Sequence, residues 1–393
     1  MSNVSFMGPK KVFFDFGRTN VVAVEMQKLF LSFFPQEAKW QAFGARNFLE
    51  ANSPFPNDAP WIEPVRDIPI PSADEIKAVK DAAAKAKQGI EAIALVVAGS
   101  TYNAVKAGID FFMPSATSHS PEIIFLGCND DKKYHENEMK KLAGKKFSVC
   151  IIDDGELPSY TKSAVDEVTA KLKDDTRVNK FTNSAAFKKA DAILAPGTLF
   201  MLAVCGIDID AVVQGAILEP LPDTSTFIAQ ACGDAGICKD DFMPYLYVTV
   251  KHYSLVRQVM ALHGNGAEIF TWADSRFSSF ARWVTDIFTQ YEHTTGIKTN
   301  FCSFADSNVV SGNGEKQEAF MTVFYCNDYK SFSVSSNEDL NIAMKPVMDD
   351  YLTKQWLSKV PVLRIGISDI DANVYGNFIG LFSRAARISS LWK

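Results

Sequence analysis

The sequence predicts an α/β fold made of two successive units, each with a mainly parallel sheet and helices on both faces. Continuous apolar runs of strand length alternate with helical patterns, which is the order of β-α-β units. Parallel strands buried on both faces read as continuous apolar runs instead of alternating ones. The alternation pauses near the middle of the chain and then restarts, which predicts two stacked units.

The first unit is expected to open with a helix over 72–87. Ser72 is suited to cap its first turn, and Glu75, three residues later, completes the capping-box pattern. A buried strand is predicted over 93–98, from the run IALVVA. The pattern then predicts helices over 101–113, 136–142 and 161–172, and strands over 122–126 and 148–152.

The second unit repeats this alternation after a helical crossover predicted over 191–240. Its predicted strands cover 246–251, 268–272, 319–325 and 362–367, and its predicted helices cover 254–263, 275–288 and 372–391. Six prolines between 52 and 71 predict an extended segment ahead of the first unit. The predicted organisation is therefore a wrapping segment over 1–71, a first unit over 72–240 and a second over 241–393.

Composition narrows the classes of partner and compartment. The 393 residues are 47% hydrophobic and 22% charged with a formal net charge of −6, and no basic stripe is visible, so we expect no nucleic-acid partner. No secretory signal or membrane span is evident, which predicts a cytoplasmic protein with no membrane partner. The seven cysteines are scattered, and Cys232 and Cys238 lack a second pair, so we expect no metal or cofactor.

Two turns are the predicted location of any chemistry. In an open parallel sheet, ligands bind beyond the carboxyl ends of the strands, where the strand order reverses. The turns that follow Ala98 and Ile152 occupy such positions in the predicted first unit.

Several stretches around those turns and beyond them carry a family pattern: WIEPVRDIP, ALVVAGSTYNAVKAGIDFF, PEIIFLGCND, KADAILAPGTLFMLAVCGIDIDAVVQGA, YSLVRQVMALHGNGAEIFTWADSRFSSFARWVTDIF and VYGNFIGLFSRAARISS. In order and spacing they resemble bacterial glucose-6-phosphate isomerases, and the similarity runs through nearly the whole chain. The resemblance implies two stacked sugar-isomerase (SIS) subdomains of flavodoxin-like type and a homodimer. It also implies an activity, the interconversion of an aldose and a ketose phosphate.

The first turn keeps part of the phosphate-binding pattern of that family. The family has a Gly-Ile-Gly-Gly-Ser turn, and this chain has Gly99, Ser100 and Thr101 after Val97 and Ala98, so one glycine of three remains. Gly99, Ser100 and Thr101 at a helix start could hold an anion. Ordinary capping of the helix explains the same residues.

The second turn is acidic where the family has a hydroxyl-rich loop with a lysine. Asp153, Asp154 and Glu156 stand in this chain. Two unit charges about 4 Å apart interact by about 4 kcal/mol at an effective dielectric of about 20. We therefore expect this turn to repel a phosphate dianion. The two aspartates could instead hold a divalent cation, but adjacent carboxylates in a turn are typical of a solvated surface.

The remaining family positions also differ. Residues 188–190, KKA, stand where the resemblance places a Gly-Gly-Arg signature, and Gln290 stands where it places the proton-transferring glutamate. Glu292 and His293 are the remaining candidates for acid–base catalysis. Asn308 and Val309 stand where the resemblance places the ring-opening histidine, and we expect the second unit to lack the family's C-terminal signature.

Three hypotheses remain open from the sequence. The first is a catalytically inactive isomerase-like protein with a structural or protein-interaction role. The second is a sensor that binds a sugar or sugar derivative in a pocket lined by Gly99, Ser100, Thr101, Asp153, Asp154 and Gln290. The third is a diverged aldose–ketose isomerase that uses Glu292 and His293.

Overall fold

Two sheets and the helices around them organise the protein, which we describe from a computed structural model. The structure describes residues 5–7, 12–18, 68–112, 121–155, 157–172, 177–187, 189–217, 245–272, 274–303, 318–326, 360–367 and 370–389. Predicted features at Glu156, Lys188, Asn308, Val309, Cys232 and Cys238 lie outside these residues.

The described elements follow the predicted alternation of strands and helices. The strands are β1 (Ser5–Met7), β2 (Val12–Arg18), β3 (Ala92–Val96), β4 (Glu122–Leu126), β5 (Phe147–Asp153), β6 (Val178–Thr182), β7 (Ala267–Trp272), β8 (Lys298–Phe301), β9 (Ala319–Cys326) and β10 (Val362–Ile367). The α-helices are α1 (Ala73–Ala86), α2 (Gly99–Phe112), α3 (Lys132–Lys141), α4 (Ser159–Ala170), α5 (Pro196–Val204), α6 (Ile209–Ala216), α7 (Tyr245–Leu262), α8 (Ser278–Thr289), α9 (Glu292–Thr295) and α10 (Ala372–Ser389). Short 3₁₀ turns cover Ala185–Phe187, Lys189–Leu194 and Ser275–Phe277.

The first sheet is entirely parallel, with strand order β4-β3-β5-β6. Its central strand β3 is fully buried, as its continuous apolar run predicts. Helix α1 begins as predicted, because the Ser72 amide donates to Glu75 Oε2 at 2.8 Å and the Glu75 amide donates to Ser72 Oγ at 3.3 Å. Strand β6 was not predicted from the sequence.

The second sheet is mixed, with strand order β1-β2-β10-β9-β7-β8. Strands β10, β9, β7 and β8 are parallel, and β2 pairs antiparallel with both β1 and β10. Part of the predicted N-terminal wrapping segment therefore extends the sheet of the second unit. The predicted α/β class with mainly parallel sheets is confirmed.

One predicted strand is wrong. Residues 246–251, LYVTVK, lie in helix α7 instead of a strand. The run is rich in β-branched and aromatic residues, but strand propensity is a weak preference that tertiary packing overrides. Downstream in the same helix, Tyr253, Val256 and Met260 are buried at helical spacing. The helix continues N-terminally from that packed face through the run.

Helices α6 and α10 pack together with almost no side chain between them. A Cβ atom added to Gly376 would lie 2.0 Å from the carbonyl oxygen of Val212, and one added to Gly215 would lie 2.1 Å from that of Asn373. Glycine is therefore required at both positions for the backbones to approach this closely. The Arg384 guanidinium donates to the Ala216 carbonyl oxygen at 2.7 Å, which satisfies the end of α6.

A buried polar network holds the second unit together. Glu268 on β7 is 0% exposed and forms an ion pair with Arg257 of α7, which is 1% exposed. The carboxylate also accepts hydrogen bonds from the Tyr253 hydroxyl at 2.7 Å and from the Thr322 hydroxyl at 2.5 Å. The Arg257 guanidinium stacks over the Phe288 ring, 3.8 Å from its centroid.

The described helices contain none with both the length and the apolar character that crossing a membrane would need.

Candidate functional site

The candidate site lies where the strand order of the first sheet reverses. The chain passes from β3 to β4 on one side and then returns to β5 on the other, so a crevice opens at the carboxyl ends of β3 and β5. Helix α2 begins there at Gly99, whose φ is +59°, and the turn after β5 contains Gly155 with a φ of +101°. The two predicted turns therefore meet at one edge of the sheet.

Asp154 faces the first turn of helix α2. The Thr101 hydroxyl, on a residue that is 1% exposed, donates to Asp154 Oδ2. The Asn183 side-chain amide, just after β6, donates to Asp154 Oδ1 at 2.7 Å. The carboxylate thus lies beside the first turn of a helix, where a negative charge is favourable.

Asp153 has a different role from its neighbour. Its carboxylate accepts from the Gly155 amide at 2.7 Å, an Asx-type contact that shapes the turn. The main-chain carbonyl oxygen of Asp153 accepts from the main-chain N–H of Asn183 at 2.8 Å and so extends the pairing of β5 with β6. This pairing places Asn183 beside Asp154.

Helix α8 packs along helix α2. It runs antiparallel to α2, because Asp286 accepts from the Asn103 side-chain amide at 2.7 Å while Asp110 accepts from Ser279 at the other end. The Ser100 hydroxyl also donates to Asp286. Burial raises the pKa of Asp286, and the hydrogen bonds from Asn103 and Ser100 and the Arg282 charge oppose that rise.

The predicted site residues do not all converge. Gly99, Ser100, Thr101, Asp153 and Asp154 lie together at the reversal point. Gln290 ends helix α8, one turn beyond Asp286.

Glu292 and His293 lie further along the chain, in the four-residue helix α9. Glu292 is half-buried and His293 is exposed. Among the described residues, no hydrogen bond joins either side chain to Thr101 or Asp154. The catalytic role predicted for this pair stays a prediction.

The position of the family arginine is also described in part. Lys189 has a left-handed φ of +57° and opens the 3₁₀ turn, and Ala190 is fully buried. The Trp283 indole N–H donates to the Ala190 carbonyl oxygen at 2.8 Å. Ala190 has no charged group, so it brings no charge to the crevice where the resemblance places an arginine.

Sequence reasoning missed three members of the site: Asn103, Asn183 and Asp286. Asp286 could have been found, because it precedes Gln290 by four residues on the same helix and so shares its face. Asn183 follows a strand that the sequence did not reveal. The assembled site contains three carboxylates, and no ion pair among the described residues involves Asp153, Asp154 or Asp286. In the described part of the chain, no three or more His, Cys, Asp or Glu side chains are grouped so that they could hold a metal ion.

Comparisons with known proteins agree with this architecture. No protein-family model matches the chain. It is 21% identical to the glucose-6-phosphate isomerase of Caldanaerobacter subterraneus subsp. tengcongensis, over 87% of this chain and 83% of that protein.

Solved structures show the same fold at low identity. A hypothetical protein from Thermus thermophilus superposes with a TM-score of 0.62 at 12% identity, covering 97% of this chain and 94% of that one. A glucose-6-phosphate isomerase from Chlamydia trachomatis superposes with a TM-score of 0.60 at 9% identity, covering 97% of this chain and 84% of that one. The chain is therefore similar in sequence to glucose-6-phosphate isomerases and has the SIS-type α/β fold.

Proposed function

We propose that this chain is a catalytically inactive relative of the glucose-6-phosphate isomerases, with a structural or protein-interaction role. A single observation carries the proposal: the Thr101 hydroxyl, at the start of α2, donates a hydrogen bond to the Asp154 carboxylate. The resemblance places a substrate phosphate at this turn. An internal anion there competes with an external one.

The energetic consequence is large on the scale of ligand binding. A phosphate charge about 4 Å from the Asp154 carboxylate would be repelled by about 4 kcal/mol per unit charge at an effective dielectric of about 20. That corresponds to a loss of affinity of about a thousandfold. The described residues supply no ion-pair partner to Asp154 that would offset the repulsion.

The residues at the acid–base positions also favour an inactive protein. An amide cannot act as a general base, so Gln290 cannot replace a glutamate in moving a proton. Glu292 and His293 form no described hydrogen bond with the residues around Asp154. The diverged isomerase is therefore the least supported hypothesis.

A coupled assay tests the proposal directly. The full chain is incubated with fructose 6-phosphate, and formation of glucose 6-phosphate is followed through an added dehydrogenase. We expect no turnover above that of a mock purification from the same host, which controls for the host's own isomerase. Turnover above the mock would overturn the proposal, and its loss in Glu292→Gln would identify the base.

The scaffold part of the proposal includes the homodimer implied by the resemblance. Light scattering after size-exclusion chromatography is expected to give twice the mass of the chain. A mass equal to one chain at all concentrations would contradict the homodimer and leave the question of activity to the coupled assay.

A second function, binding of a sugar derivative without conversion, is favoured by one observation. The Asn183 Oδ1 atom is buried and has no hydrogen-bond partner among the described residues, although the same amide holds Asp154. A polar group left open beside the crevice is consistent with a ligand that completes it.

A further inference from the structure

The unpartnered oxygen of Asn183 indicates that the polar network around Asp154 is incomplete. Asn183 is 4% exposed, and its Nδ2 atom donates to Asp154 Oδ1 at 2.7 Å. Its Oδ1 atom finds no donor in the described part of the chain. A buried acceptor without a donor is unfavourable, so a group that brings N–H or O–H donors to this point would stabilise the site.

The charge at the site favours a cation. Asp154 receives hydrogen bonds only from neutral groups in the described residues, the Thr101 hydroxyl and the Asn183 amide. A half-buried carboxylate without an ion-pair partner in the described residues attracts a positively charged ligand group.

The start of α2 leaves free space beside Gly99. A Cβ atom added to Gly99 would meet nothing within 4 Å. The backbone N–H groups of the first helical turn are donors, which suit the oxygen atoms of neutral hydroxyl groups. The crevice therefore combines carboxylate acceptors with backbone donors.

From these three observations we infer that the crevice binds an amino sugar that carries no phosphate, with its ammonium group against Asp154 and its hydroxyl groups toward the start of α2. The ammonium donates hydrogen bonds to the Asp154 carboxylate and to the Oδ1 atom of Asn183. A phosphorylated sugar would bring a negative charge to the same carboxylate. The inference rests on the placement of Asp154 that also supports the proposed function, but it concerns binding and not turnover.

Calorimetric titration of the full chain with D-glucosamine tests this inference. D-Glucose is the neutral probe of the same shape, and glucose 6-phosphate is the anionic probe. We expect glucosamine to bind at least tenfold more tightly than glucose, and glucose 6-phosphate not to bind. The isosteric change Asp154→Asn is expected to weaken glucosamine binding at least tenfold, while Asp166→Asn on the exposed face of α4 leaves it unchanged.

A spectroscopic measurement on the unaltered protein covers the case in which Asp154→Asn does not fold. In a ¹⁵N-labelled sample, the side-chain amide signal of Asn183 is expected to shift on addition of glucosamine and not of glucose. Equal binding of glucose and glucosamine, unchanged affinity in Asp154→Asn, or no binding of glucosamine would each overturn the inference. None of these outcomes would produce turnover in the coupled assay, so failure here is distinguishable from failure of the proposed function.

Discussion

Two carboxylates, one beside each sheet, accept hydrogen bonds from similar neutral groups, but only one of them also has a cationic partner. Glu268 in the second unit accepts hydrogen bonds from Thr322 and Tyr253, and Asp154 in the first accepts from Thr101 and Asn183. Glu268 also pairs with the Arg257 guanidinium and is fully buried. Asp154 is half-buried and has no such cation in the described residues.

The difference separates a structural network from a candidate ligand site. A buried carboxylate is tolerated when a cation and hydrogen-bond donors complete it, as around Glu268. Arg257 in turn contacts α10 and β8 through Ser389 and Thr299, each at 3.4 Å. The network around Asp154 instead leaves the Asn183 Oδ1 atom without a donor in the described residues. This network lies at the carboxyl ends of the strands, where ligands bind in such sheets.

Removing the charge of Glu268 tests the structural role of its network, and it has the largest expected effect on the free energy of unfolding. Glu268→Gln leaves the Arg257 charge buried without its partner, so we expect the free energy of unfolding to fall by about 3 to 5 kcal/mol. Denaturant unfolding followed by circular dichroism measures the loss. The matched control is Glu122→Gln, whose exposed ion pair with Lys145 predicts a loss of less than about 1 kcal/mol.

The double variant Arg257→Met/Glu268→Gln sharpens the test. If the penalty comes from the unpaired guanidinium, the double variant should be more stable than Glu268→Gln alone. A Glu268→Gln variant as stable as Glu122→Gln would show that the network does not hold the second unit.

The contact between α6 and α10 provides a second way to disturb the structural side. Gly376→Ala places a Cβ atom 2.0 Å from the Val212 carbonyl oxygen, which the backbone cannot accommodate without a shift. We expect a loss of about 1 to 3 kcal/mol in unfolding free energy, even though alanine favours helices. Gly266→Ala is the control, because its added Cβ would meet nothing within 4 Å. Equal stability of the two variants would contradict the close approach of the helices.

The sequence predicted the fold where burial leaves a local signature. Strand β3 is recognisable because parallel strands covered on both faces are apolar throughout, and α1 because Ser72 and Glu75 form a capping box. Strands β6 and β8, with sequences VNKFT and KTNF, are short edge strands whose polar residues resemble loops. The run 246–251 was mistaken for a strand because the helix that contains it is set by packing further along the chain.

The site was predicted only where a turn follows a recognisable strand. Thr101 and Asp154 were found in this way, but their hydrogen bond joins positions 53 residues apart and leaves no local pattern. Asn183 was missed together with β6, and Asp286 was missed because it reaches the crevice only through the antiparallel packing of α8 on α2. The chemistry of a crevice depends on such convergence, which one sequence does not encode locally.

Asp286 allows the smallest but most selective test of the candidate-site side. Because burial raises its folded-state pKa above the value in the unfolded chain, protonation stabilises the folded protein. This stabilisation is fully present below the unfolded pKa and is lost as the pH rises through the folded pKa. The parent protein therefore carries a penalty at pH 7 that Asp286→Asn removes.

We expect Asp286→Asn to gain stability relative to the parent as the pH rises from 4 to 7, by less than about 1 kcal/mol because solvent partly screens the group. Urea unfolding of both proteins at several pH values measures the difference, with the exposed Asp166→Asn as the control for loss of one charge. A pH dependence identical to that of the parent would mean that Asp286 is not desolvated between α2 and α8. The opposite trend, with the variant losing stability toward pH 7, would mean that a cation pairs with Asp286 as Arg257 does with Glu268. The contrast between the structural network and the candidate site would then no longer hold.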